Sequence, residues 1–161
     1  MPAERLVPLP DSIDDRHAAA MMLQGMTAEY LIRRTFVVQS GQTVLFHAIA
    51  GGVGLIACQW LKQLGATVIG TVGNEAKAEL ARAHGCDHVI VYSRENVVDR
   101  VNEITDGAGV PVVYDSVGKD TCEGSLDCLQ QRGTLVSFGA ASGVPADFSV
   151  NQLQFKGSLY L

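Results

Sequence analysis

At 161 residues the chain is long enough for one domain with a real core and too short for two ordinary ones. Its 47% hydrophobic and 18% charged content exclude a disordered polymer. A net charge of −5 with no Lys/Arg cluster argues against nonspecific attraction to nucleic acid or to an anionic membrane.

Residues 1–16 contain Pro2, Pro8 and Pro10 and read as an extended connection. The first residues lack the charged-then-apolar pattern of a signal peptide, and no apolar run approaches the roughly 18 residues of a membrane span. Cys58, Cys86, Cys122 and Cys128 show no C-x-x-C pairing and no neighbouring histidine at zinc spacing. Reduced thiols in a cytoplasmic protein are therefore expected.

Ala18–Arg33 reads as a helix preceding the first strand, Thr43–Ala48. Behind a glycine-rich turn, Val53, Ile56, Ala57, Trp60, Leu61 and Leu64 share one helical face, and Gly65 stops the pattern as a C-cap would. Thr67–Val72 is the second strand, followed by a helix capped by Asn74 and ended by Gly85. Val89–Tyr92 is the third strand. Val97, Val98, Val101 and Ile104 mark the next helix, which the run Asp106-Gly107-Ala108-Gly109 breaks. Val112–Ser116, a helix over Thr121–Leu129, and Thr134–Phe138 continue the rhythm, and Gly157–Leu161 reads as a last strand. The strands lack clean alternation, so both sheet faces should be covered. The expectation is a doubly wound parallel α/β sheet (Rossmann) of about six strands with helices on both faces. Because the chain stops in or just after a strand, a fragment boundary is expected there.

The segment that carries chemistry is His47-Ala48-Ile49-Ala50-Gly51-Gly52-Val53-Gly54, after a strand and opening a helix. A pyrophosphate needs backbone N–H groups aimed at it and no side chain in the way. Gly51 and Gly54 match the second and third glycines of G-x-G-x-x-G, while Ile49 stands where the first would be. On the first strand of a repeated β–α array, this loop points to a dinucleotide. NAD-binding folds usually place Asp or Glu at the end of the second strand to bind the ribose 2′-OH. Here Gly73 and Asn74 occupy that place, with Glu75 next, and Lys77 lies one helical turn beyond the cap. The missing acid favours NADP(H).

The runs FHAIAGGVGLIACQWLKQLGATVIGTV (46–72), VVYDSVGKDT (112–121), LVSFGAASG and KGSLYL resemble bacterial NADPH:quinone oxidoreductases of the zinc-independent, zeta-crystallin-like branch of the medium-chain dehydrogenase/reductases. The resemblance covers essentially the whole chain and implies site roles. Gly51, Gly52 and Val53 would pass their backbone along the pyrophosphate. Asn74, Lys77 and Tyr92 would hold the 2′-phosphate. Ser116 and Val117 would border the adenosine. Phe138 and Gly139 would lie near the nicotinamide half, as would Thr27. No residue is assigned as a general acid, base or nucleophile, and His47 reads as packing or bonding at a strand end.

The resemblance further implies that residues 1–34 lead from an absent catalytic domain and that 35–161 form the dinucleotide-binding domain. It implies hydride transfer from NADPH to a quinone-type acceptor in the full-length protein, with this portion inactive alone. The 156–161 strand is expected to pair with its copy across a two-fold axis, giving a homodimer. Two other readings stay open: an enoyl or alkenal reductase of the same superfamily, and a non-catalytic Rossmann module that senses dinucleotide or binds RNA. The acidic charge weighs against RNA.

Overall fold

A computed structural model describes residues 2, 4, 6–146, 148–157 and 159–161. Helix α1 (Asp15–Tyr30) starts where the Asp14 carboxylate accepts the His17 N–H at 2.8 Å. It runs into a π-helical turn, Leu31–Thr35. Then β1 (Thr43–Phe46), α2 (Gly52–Gln63), β2 (Thr67–Val72), α3 (Glu75–Ala83), β3 (His88–Val91), α4 (Val97–Ile104), β4 (Val110–Asp115), α5 (Cys122–Asp127) and β5 (Leu129–Ser137) alternate strand with helix. A short helix, α6 (Asn151–Phe155), follows.

The strands are parallel in the order β3-β2-β1-β4-β5. The chain winds outward from β1 in one direction through β2 and β3, then returns to add β4 and β5 on the other side. The strand order therefore reverses between β1 and β4, and in such sheets ligands bind beyond the strand ends at that point.

Side chains alternate along the strands and feed two cores, one on each face. Val44, Phe46, Val68 and Tyr114 pack with residues of α1, α2 and α3. Leu45, Ile69 and Val113 pack with Val101 of α4 and Leu126 of α5. Both faces are thus covered, as the β-branched strands require. The Tyr114 hydroxyl lies 3.3 Å from the carbonyls of both Leu31 and Phe36, fastening the π-helical turn to the middle of the sheet.

The doubly wound parallel sheet is present with five strands among the described residues rather than about six. In the expected last strand, Gly157–Leu161, Tyr160 makes a single parallel bridge to Thr134. The Tyr160 N–H donates to the Gly133 carbonyl at 2.9 Å, and the Leu135 N–H donates to the Tyr160 carbonyl at 2.8 Å. The turn at Gly157 (φ 126) takes the first residue of the expected strand. Ser158 lies outside the described residues, as do Met1, Ala3 and Arg5 of the expected N-terminal connection. The helix expected over Thr121–Leu129 ends at Asp127, and Leu129 already pairs with Val110. A register irregularity follows, because β5 advances from Leu129 to Thr134 while β4 advances only from Val110 to Val112.

Candidate functional site

A cleft of about 400 Å³ opens beyond the C-terminal ends of the strands at the reversal point. Its walls come from the β1–α2 turn (His47, Ala48, Ala50, Gly51), the end of β2 and start of α3 (Thr71–Gly73, Lys77), Tyr92 and Val97, and the β4–α5 loop (Val117, Asp120, Thr121).

The glycines of the first turn do different work. Gly51 caps α2 without a side-chain hydrogen bond. By contrast α1, α3 and α4 are capped by the side-chain oxygens of Asp14, Asn74 and Asn96. The first N–H groups of α2, which a helix cannot satisfy internally, therefore have no capping side chain where Gly51 borders the cleft. Gly54 serves packing: an added Cβ would stand 2.4 Å from the Ile49 carbonyl oxygen. Just before them Ala48 takes a left-handed backbone conformation, with φ 53.

Electrostatics at the β2 end favour an anion. Lys77 lines the cleft, and among the described residues no carboxylate lies within ion-pair distance of its ammonium. The nearby acid, Glu75, is held by Arg82 at 2.9 Å and by Arg94 at 3.8 Å. Tyr92 brings its hydroxyl over Gly73, where an added Cβ would meet it at 2.8 Å. The geometry offers a cation, a hydroxyl and open helix N–H groups, a set suited to phosphate oxygens.

Beneath the cleft floor lies a buried polar network. The Asp115 carboxylate accepts from the N–H groups of Val117 (2.8 Å) and Gly118 (3.0 Å) and from the hydroxyls of Thr121 and Ser125 (both 2.8 Å). His47 bridges Ser125 and Thr71, with Nε2 and Nδ1 each 3.0 Å from a hydroxyl oxygen. Burial pushes the His47 imidazole below its ordinary range, opposed in part by the Asp115 charge.

Of the residues singled out from sequence, Gly51, Lys77, Tyr92 and Val117 line the cleft. Gly52 and Val53 open α2 directly behind Gly51. Asn74 caps α3, its Oδ1 accepting the Lys77 N–H at 3.0 Å, which leaves its amide NH₂ available. Ser116 and Gly139 pack together at one side, an added Cβ on Gly139 falling 2.9 Å from the Ser116 carbonyl oxygen. Phe138 meets Phe46 edge-on at 5.7 Å, and the Thr27 hydroxyl donates back to Leu23 at 2.7 Å. Ser116, Phe138, Gly139 and Thr27 do not border this cleft. Thr71, Asp120, Thr121 and the buried Asp115 and Ser125 were not anticipated. The available signal was a hydroxyl and an acid at the ends of otherwise apolar strands, TVIGTV and VPVVYD.

Residues 52–160 match the family model for zinc-binding dehydrogenases. A quinone oxidoreductase of Pseudomonas aeruginosa is 59% identical over 98% of this chain and 49% of that protein. A 2-haloacrylate reductase of a Burkholderia species is 52% identical over 99% of this chain and 49% of its own length. The crystal structure of Escherichia coli quinone oxidoreductase complexed with NADPH superposes with a TM-score of 0.93 at 53% identity, covering 96% of this chain and 47% of that one. The chain spans about half the length of the curated relatives it matches.

Proposed function

The chain belongs to the zinc-binding dehydrogenase family, and from that premise we propose that it is the NADPH-holding part of an oxidoreductase that passes hydride to quinone-type acceptors. The observation that carries the reading is the cleft at the sheet's reversal point, with Lys77 and Tyr92 at its rim and no acid at 73–74. NADPH supplies the hydride when bound; the chain's own residues bind and orient it.

In this reading the backbone of Gly51, Gly52 and Val53 donates to the pyrophosphate at the start of α2. Lys77, Tyr92 and the free amide of Asn74 engage the 2′-phosphate. Ser116 and Val117 border the adenosine, and Phe138, Gly139 and Thr27 serve the nicotinamide half. Residues 1–34 lead into the domain and 35–161 form it. The test is calorimetric titration of the chain with NADPH and NADH. Tighter binding of NADPH is expected, and equal or tighter binding of NADH would sink the assignment.

A second acceptor class is supported by the 2-haloacrylate reductase relative, whose name denotes an activated alkene. Steady-state rates of the full-length protein with a quinone and with a 2-haloacrylate separate the two. The reading also includes zinc-independent catalysis, on resemblance to the zeta-crystallin-like branch, and chelator-sensitive activity would overturn that part. Among the described residues no helix is long and apolar enough to cross a membrane. A cytoplasmic location and a homodimer joined near 156–161 complete the proposal.

A further inference from the structure

Among the described residues the buried polar or charged side chains are His47, Thr71, Asp115 and Ser125, each 2% exposed or less. All belong to one connected network. A buried polar network stabilises no better than a well-packed apolar core, so its geometry is the more informative property.

The proton directions along it follow from valence. A carboxylate can only accept, so the single Ser125 hydroxyl proton goes to Asp115 Oδ2 at 2.8 Å. Ser125 Oγ must then accept from His47, which places the imidazole proton on Nε2. His47 Nδ1 is left as an acceptor, so the Thr71 hydroxyl donates to it at 3.0 Å. Thr71 Oγ1 in turn accepts the Ala48 N–H at 3.3 Å. Every donor points toward Asp115.

The two ends of this chain are the two walls of the cleft. At one end Thr71 holds Ala48 through its hydroxyl and Ile49 through its carbonyl, which accepts the Ile49 N–H at 3.2 Å. The Ala48 carbonyl receives the Gly51 N–H at 2.9 Å, so the left-handed turn at Ala48 aims the start of α2. A left-handed alanine is disfavoured by about 1–2 kcal/mol and persists only where its surroundings hold it. At the other end Asp115 gathers the N–H groups of Val117 and Gly118 and shapes the facing loop.

We propose that the ordered chain Ala48–Thr71–His47–Ser125–Asp115 is a positioning device that sets the pyrophosphate-binding turn against the opposite wall of the cleft. Thr71, His47 and Ser125 are then positioning residues for the dinucleotide, acting through the backbone of Ala48 to Gly51. This deepens, and rests on, the reading of the cleft as a dinucleotide site.

Two measurements test it. NADPH affinity is titrated for the wild-type chain, Thr71→Val and Thr71→Ser, with urea unfolding confirming that each is folded under the titration conditions. Thr71→Val keeps the shape and removes the hydroxyl; it should weaken NADPH by about tenfold, whereas Thr71→Ser should stay close to wild type. Wild-type affinity in a folded Thr71→Val overturns the inference alone; absence of NADPH binding by the wild type overturns the underlying reading and the inference with it. Independently of any variant, the ¹⁵N shifts of the His47 ring should report protonated Nε2 and bare Nδ1. The opposite tautomer overturns the proposed chain, whatever the affinities.

Discussion

Ile49 fills the space that a side chain on Gly70 would need: an added Cβ at Gly70 would stand 2.4 Å from Ile49 Cγ2. Ile49 is fully buried, and its N–H donates to Thr71, the neighbour of Gly70 on β2. The departure from the first glycine of the dinucleotide fingerprint is therefore compensated one strand away. Bulk has been added to the turn and is absent from β2, leaving Gly51 and Gly54 to their own roles.

Gly70→Ala should destabilise the chain by about 1–3 kcal/mol through overpacking. Ile49→Ala should cost about 2–5 kcal/mol by opening a cavity. Because the two positions share one space, the double variant should cost clearly less than the sum. A double-mutant cycle from urea unfolding measures the coupling, and additive values would show that the two do not compete.

The buried imidazole of His47 gives stability a pH dependence of defined sign. Its protonation is depressed in the folded chain by burial, with the Asp115 charge opposing. In the unfolded chain the ring titrates near its ordinary value of about 6.5. The stabilising contribution is thus complete above about pH 6.5 and is lost as pH falls toward the lower folded value, by at most about 1.4 kcal/mol per pH unit. Urea midpoints should fall between pH 7 and pH 5 more steeply for wild type than for His47→Gln. Parallel profiles would show that His47 does not contribute this term.

Much of the fold is legible in the sequence because local signals and tertiary packing agree. Asn74 caps α3 where its side chain and position predict, and Gly65 and Gly85 stop their helices with φ of 80 and 95. The end of the chain reads less well. NQLQF forms a helix of five residues, too short to show a period, and GSLYL cannot reveal how many ladder partners it will find. In the site, Gly51 and Lys77 are legible from the strand–turn–helix pattern alone. The network is not: Thr71 looks like any β-branched strand former, Asp115 like a turn residue and Ser125 like a polar helix position. Only the winding of the sheet brings residues 47, 71, 115 and 125 together.

The segment at 159–161, which covers β5 through Tyr160, should pair with a second copy. Tyr160 and Leu161 are exposed there, at 59% and 64%, and an outermost strand with apolar side chains is a ready template for strand addition. Sedimentation at micromolar concentration should give a homodimer. Tyr160→Lys, which places a charge on that edge, should shift it toward monomer; a wild-type monomer would remove the proposal.

Lys77 should decide between the two nicotinamide dinucleotides. Its backbone N–H is occupied by the Asn74 cap, but its ammonium borders the cleft, and Glu75 is engaged by Arg82 and Arg94. A 2′-phosphate placed at the β2 end would meet a cation with no competing acid, whereas a bare 2′-OH would gain little from it. A charge-assisted contact of this kind corresponds to about tenfold or more in affinity. Lys77→Ala should therefore weaken NADPH by about that factor and leave NADH nearly unchanged, with the difference shrinking as salt is raised. The change should leave stability almost untouched, because the side chain is exposed and the Asn74 cap uses only the backbone of residue 77. Equal losses for both dinucleotides in calorimetric titration would mean that Lys77 does not read the 2′-phosphate.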